Sequence, residues 1–87
     1  MTLQFSDAAW EDYLHWQASD RRRLERVNML LKAIGRAPYE GIGKPEPLRF
    51  NKHGWWSRRI DTEHRVVYRV TDGIVLIAAL RYHYQTP

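Results

Sequence analysis

The chain has 87 residues, 44% hydrophobic and 13% aromatic, and no cysteine. That is apolar material for one small core and too little chain for two; it excludes a disulfide scaffold, a cysteine-type zinc finger and a thiol nucleophile. The formal charge of +4 sits in the second half. Residues 1–43 hold six basic and six acidic side chains, residues 44–87 eight and four, and eleven of the fourteen basic residues are Arg.

Thr2–Phe5 (TLQF) alternates as a short first strand. Ser6 can cap the helix that follows, with Asp7 favourably placed in its first turn. Trp10, Tyr13, Leu14 and Gln17 fall at helical spacing and predict an aromatic stripe turned to the core. Ser19 or Asp20 starts a second helix whose buried face is Leu24, Val27, Leu31 and Ile34. Gly35 is the expected C-terminal cap, and Pro38 prevents continuation. Arg21, Arg22 and Arg23 occupy the first turn, the wrong end for cations. Two readings stand side by side there: a contact for a negatively charged partner, or a solvated turn balanced by Asp20 and Glu25.

Residues 38–48 (PYEGIGKPEPL) read as a loop, loosened by Gly41 and Gly43 and stiffened by Pro45 and Pro47. Glu46 lies between the two prolines, so its backbone is held extended. Residues 48–50 lead toward the sheet, and 51–54 have turn chemistry. Three strands follow, over 55–62, 64–71 and 74–84, with Asp72-Gly73 as a hairpin turn between the last two. In the middle one Val66, Tyr68 and Val70 form the apolar set that must face the helices, which leaves Arg65 on the open face. The last strand is apolar on both sides up to Ala79. Beyond it Arg81 and His83 share one side, and Tyr82 is assigned to the core. Antiparallel pairing brings the end of this strand beside the start of its neighbour, and so His83 near Arg65.

The expected fold is therefore α+β: two N-terminal helices on a mainly antiparallel sheet, one domain over residues 1–87, with 85–87 as a flexible tail. There is no apolar run of membrane-spanning length and the first residues lack a signal-peptide layout, so the chain is expected to be soluble and cytoplasmic. A basic half in a chain of pI near 9.8 fits nucleic acid or an acidic protein, and equally a solvated basic surface.

Certain side chains bear on chemistry. RNA is cut without metal when a base removes the 2′-OH proton, an acid protonates the leaving 5′-oxygen and cations hold the phosphoryl charge. This chain offers Glu46 as base, His83 as acid, Arg65 on the phosphate and Arg59 as second cation. Lys44, Arg49, Lys52 and His53 make a basic edge suited to backbone phosphates or to plain solvation. Tyr84 can stack on a base or pack as a rim aromatic. Each has an ordinary alternative: Glu46 pairing with Lys44 or Arg49, Arg65 with Asp61 or Glu63, His83 simply solvated. No pair of carboxylates and no His cluster has metal-ligand spacing, so no metal or other cofactor is expected.

The blocks YLHWQASD, YEGIGKPEPL, WWSRRIDTEHRVVYRV and LIAALRYHY, taken together, closely resemble the YoeB branch of the RelE/ParE toxin superfamily, over residues 3–84. The resemblance implies a microbial-RNase-like fold and a toxin of a type II toxin–antitoxin system. It implies entry into the A site of the 70S ribosome and cleavage of translated mRNA, leaving a 2′,3′-cyclic or 3′-phosphate and a 5′-OH. By the same resemblance Glu46 is the general base, His83 the general acid and Arg65 the phosphate-stabilising cation, with Arg59 and Tyr84 contributing. A homodimer and a YefM-type antitoxin are implied, with operator DNA reached only through the antitoxin, and Arg21, Arg22 and Arg23 become candidate ribosome contacts. Two features depart from the family pattern: Arg49 stands where relatives often have Lys, and residues 85–87 extend past the tyrosine where relatives often stop. The alternatives are a binding toxin on the same fold, such as a gyrase poison, whose members lack this acid–base set, and a protein that serves only as the antitoxin's co-repressor.

Overall fold

The computed structural model describes residues 1–49 and 53–82. Strand β1 (Thr2–Phe5) leads into helices α1 (Asp7–Ser19) and α2 (Arg21–Arg36), followed by β2 (Glu46–Pro47), β3 (Trp55–Arg59), β4 (Arg65–Thr71) and β5 (Ile74–Ala79). The strands form one sheet in the order β1-β5-β4-β3-β2, antiparallel except for the parallel pair β1–β5. Both helices cover one face. The core joins Ala9 and Trp16 of α1 and Val27, Leu30, Leu31 and Ile34 of α2 to Val66, Tyr68, Val75, Ile77 and Leu80. The expected α+β arrangement is the one observed.

Helix α2 follows its sequence pattern. Asp20 caps it, accepting from the Arg23 amide at 3.0 Å, and the i, i+3, i+4, i+7 apolar residues are buried. Its end does not follow the pattern: α2 runs to Arg36 with Ala37 as cap, so Gly35 lies inside the helix. Pro38, not Gly35, is the stop signal that acts.

Helix α1 departs further. Its buried residues are Ala9 and Trp16, and Trp10 is 48% exposed, stacked on Tyr13 (5.6 Å, 4°) beside Phe5. The Trp10–Tyr13 stripe lies at the rim because α1 meets the sheet largely through polar groups. The Ser6 amide donates to Ile77 O (2.9 Å) and the Ser6 hydroxyl to Ala78 O (3.0 Å); Asp12 Oδ2 accepts from the Leu80 amide (2.9 Å), and Trp16 Nε1 donates to Leu80 O (2.9 Å). These bonds hold residues 77–80, where the β4–β5 ladder is irregular: Val67 faces Ala79, but Tyr68 faces Ile77. Ala78 is the extra residue of a bulge, and a bulge exchanges the two faces of the chain beyond it. Val75 and Ile77 face the helices before it, and Leu80 after it.

That exchange is why both residue sets of the last strand read as apolar. β5 ends at Ala79 instead of continuing to residue 84; Leu80–Tyr82 bend, and Tyr82, expected in the core, is 55% exposed with φ 59°. The β4–β5 turn is as expected: Asp72 and Gly73 both have positive φ (50° and 75°), as a type I′ hairpin requires.

Candidate functional site

The segment expected to be a loop around Glu46 forms an edge strand. Glu46 pairs with Ser57 and Pro47 with Trp56, and the Leu48 amide adds a bond to Trp55 O at 3.0 Å. At a sheet edge the missing N–H of Pro47 removes no ladder bond, which is why a proline-flanked glutamate can sit there. The register then fixes faces. Glu46 lies opposite Ser57; Arg59, two residues on, shares that side and lies opposite Arg65. Glu46, Arg59 and Arg65 thus project from one face, the one turned away from the helices. Two interstrand spacings and a two-residue offset separate the Glu46 and Arg65 backbones by roughly 12 Å. Side chains of these lengths can close on one phosphodiester from that separation.

Arg65 is anchored at its base. Nη1 donates to Asp61 O (2.7 Å) and His64 O (3.0 Å), both in the β3–β4 turn. The turn is itself organised by Asp61, whose Oδ1 accepts from the amides of Glu63 (2.8 Å) and His64 (2.7 Å) and whose Oδ2 takes Arg23 Nε at 2.5 Å. Burial works against ionising Asp61 and is the largest single influence, but the Arg23 bond, the two amides and His64 outweigh it and hold the carboxyl down at about 2. The Arg23 amide, its guanidinium and a lesser Arg22 amide bond also lower Asp20.

The feature that sequence reasoning missed is Arg58. Its side chain points to the helix side and is fully buried. Nε donates to Tyr68 Oη (3.1 Å), Nη1 to Ile42 O (3.2 Å), and Nη2 to Ala37 O (2.5 Å) and Glu40 O (2.8 Å). Tyr68 Oη in turn donates to Pro38 O at 2.6 Å. Burial raises the Tyr68 phenol above its usual value, against a smaller opposing effect of Arg58, so it remains a donor. One cation and one phenol therefore hold the carbonyls of residues 37, 38, 40 and 42, the run that leads into Glu46. Gly43 completes the fit: with φ 85°, a Cβ there would lie 2.7 Å from Leu30 Cδ2 and 3.2 Å from Arg58 Cβ, and its carbonyl accepts the Arg59 amide at 2.7 Å. The only sequence signal was a charged residue on the apolar side of a strand alternation.

The chain after β5 does come back to Arg65. The Arg65 amide donates to Tyr82 O at 3.2 Å, and the Tyr82 amide to His64 Nδ1 at 2.7 Å. His83 and Tyr84, with Lys52 and the tail 85–87, lie outside the described residues. Of the basic edge, Lys44, Arg49 and His53 are exposed, and so is the Arg59 side chain. Among the first-turn arginines, Arg21 pairs loosely with Glu25 (3.7 Å) and Arg22 is exposed, while Arg23 is engaged by Asp20 and Asp61 and lies over Trp16. A cavity of about 380 Å³ lined by Asp20, Arg22, Arg23, Arg26, Ile60 and Asp61 includes none of Glu46, Arg59 or Arg65. Among the described residues no helix is long and apolar enough to cross a membrane, and no three acidic or His side chains are grouped so as to hold a metal ion.

With that geometry in hand, known proteins can be set beside the chain. The model of the YoeB-like toxins of bacterial type II toxin–antitoxin systems matches residues 5–84. Toxin YoeB of Escherichia coli strain K12 is 56% identical over 84 residues, spanning 97% of this chain and all of that protein. The YoeB dimer from Staphylococcus aureus superimposes with a TM-score of 0.89 at 47% identity, over 97% of this chain and 98% of that one. The toxin of a YoeB–YefM complex from the same organism gives 0.85 at 46% identity with the same coverage.

Proposed function

The chain belongs to the family of YoeB-like toxins of bacterial type II toxin–antitoxin systems, and from that premise we propose that it is a ribosome-dependent mRNA endonuclease needing no metal. Glu46 removes the 2′-OH proton; the 2′-oxygen attacks the adjacent phosphorus; Arg65 and Arg59 hold the phosphoryl charge; His83 protonates the departing 5′-oxygen. The products are a 2′,3′-cyclic phosphate and a 5′-OH. The observation that carries this reading is the strand register that puts Glu46, Arg59 and Arg65 on one open face. The anchoring of Arg65 at its Nη1 supports it too: Nε and Nη2 are left to face an anion, and a fork fixed at one corner loses little freedom on binding phosphate.

The remaining assignments follow from the same face. Lys44, Arg49 and Lys52 contact the RNA backbone, and Tyr84 stacks on a base. Arg21 and Arg22 are the first-turn residues suited to ribosomal RNA, since Arg23 is held within the fold. The ribosome supplies what three catalytic groups on an open sheet lack, a fixed conformation of the scissile nucleotide. A YefM-type antitoxin is the partner that neutralises the chain, and the chain forms a dimer, as the complexes and dimer of its relatives indicate.

The test is single-turnover cleavage of mRNA on translating ribosomes in excess EDTA. Glu46→Gln, Arg65→Ala and His83→Ala are each expected to lose ~10²–10⁴-fold in rate, the usual worth of one acid–base or charge-stabilising group. Loss of cleavage on chelation with ribosomes still intact, or wild-type rates in all three variants, would overturn the proposal.

A further inference from the structure

Tyr82 is a non-glycine residue held in the left-handed region, at φ 59°. Both of its backbone polar groups are bound by consecutive residues at the start of β4: His64 Nδ1 accepts its N–H at 2.7 Å, and the Arg65 N–H donates to its carbonyl at 3.2 Å. A backbone conformation of this kind persists only where its surroundings over-determine it. His64 is itself fixed on every side. It is buried, its ring lies edge-on to Trp16 (4.8 Å) and against Tyr82 (5.2 Å), and its Nε2 sits 2.9 Å from Glu63 Oε1. With the Nε2 proton given to Glu63, Nδ1 keeps the lone pair that the Tyr82 amide needs. The ring thus acts as a spacer of fixed length between the β3–β4 turn, which also anchors Arg65, and the residue immediately before His83.

We propose that His64 is a positioning residue of the RNA-cleaving site: through the Tyr82 amide it sets the bend from which the chain enters His83, and so registers the acid against Arg65. The inference rests on the assignment of His83 under the proposed function. It requires no contact between His64 and RNA. The bend, the buried imidazole and the Arg65 anchor form one unit, in which the same two residues that hold the phosphate-binding arginine hold the approach to the acid.

A mere core filler and a positioning residue respond differently to two substitutions. In His64→Asn the carbonyl oxygen falls where Nδ1 was and still accepts the Tyr82 amide. In His64→Gln the amide nitrogen falls where Nε2 was, so the bond to Glu63 survives and the bond to Tyr82 is lost. Both remove the ring from Trp16. The full-length chain, freed of antitoxin, is assayed for single-turnover cleavage on translating ribosomes, and the Tyr82 amide is followed by hydrogen exchange. H64N is expected to keep at least about a tenth of the wild-type kcat and to protect the Tyr82 amide. H64Q is expected to fall about tenfold or more below H64N in kcat with KM little changed, a misplacement effect, and to lose that protection. Equal kcat and equal Tyr82 exchange in the two variants would overturn the inference while leaving the proposed function standing, provided His83→Ala is inactive in the same assay. Wild-type rates in His83→Ala would remove the proposed function and this inference with it.

Discussion

Replacing Arg58 by Ala tests how the Glu46 strand is held in place. The substitution removes four hydrogen bonds from a fully buried guanidinium and leaves Ala37 O, Glu40 O and Ile42 O without their donor. Bonds from a charged donor contribute ~1.5–3 kcal/mol each, and they are not additive within one group. Removing one side of a buried charged network costs ~3–5 kcal/mol, so about 4 kcal/mol is the expected loss. The whole folding free energy of a chain this size is roughly 4–13 kcal/mol, and the same loss corresponds to a Tm drop of about 15–30 °C. Arg58→Lys keeps the charge but cannot span acceptors on three residues, and is expected to lie between wild type and Ala. Urea denaturation with linear extrapolation, alongside thermal melts, measures both. If R58A lies within about 1 kcal/mol of wild type, the buried clamp is not what holds residues 37–43 on the sheet.

Two further substitutions separate other contributions. Asp61 is held down at about 2 from an ordinary 3.8; a folded-state value below the unfolded one adds stability that is complete above pH ~5 and disappears as pH falls through the folded value near 2. Wild-type Tm should therefore be level from pH 7 to 5 and fall toward pH 2, whereas Asp61→Asn should start lower at pH 7 and converge with wild type near pH 2; parallel curves would contradict the role given to the carboxylate. Gly43→Ala meets Leu30 and Arg58 at a positive φ, while Gly73→Ala, at similar φ, meets nothing within 4 Å. The first should cost about 1–3 kcal/mol more than the second in a urea titration, the difference being overpacking beyond the shared backbone strain; equal costs would contradict the close packing at residue 43.

What could be read from the sequence was local. The α2 apolar face, its Asp20 cap and the Asp72-Gly73 turn depend on residues within a few positions of one another, and each was found as expected. The placement of Arg65 on the open face followed from a clean alternation in β4. What could not be read depended on distant partners. The exposed Trp10 stripe has the spacing of a core face, and only the contacts of Ser6, Asp12 and Trp16 with residues 77–80 explain why α1 turns elsewhere. The bulge at Ala78 reverses which side of β5 is buried, so one alternation could not serve for the whole strand. Glu46 read as a loop residue because two prolines argue against a strand, yet an edge position tolerates them. Arg58 and His64 read as an ordinary strand cation and a strand-start histidine. Their burial depends on loop carbonyls and on a C-terminal amide far away in the chain.

The central claim is that Glu46, Arg65 and His83 act together on one phosphodiester without metal. Its most direct test is the chemistry of the ends formed when mRNA is cut on translating ribosomes in EDTA. The account predicts 5′-OH ends and 2′,3′-cyclic or 3′-phosphate ends at A-site codons, with a Glu46→Ala/Arg65→Ala double variant losing far less than the product of the two single losses, since the groups serve one transition state. Ends bearing a 5′-phosphate and a 3′-OH, or losses that simply multiply, would contradict it.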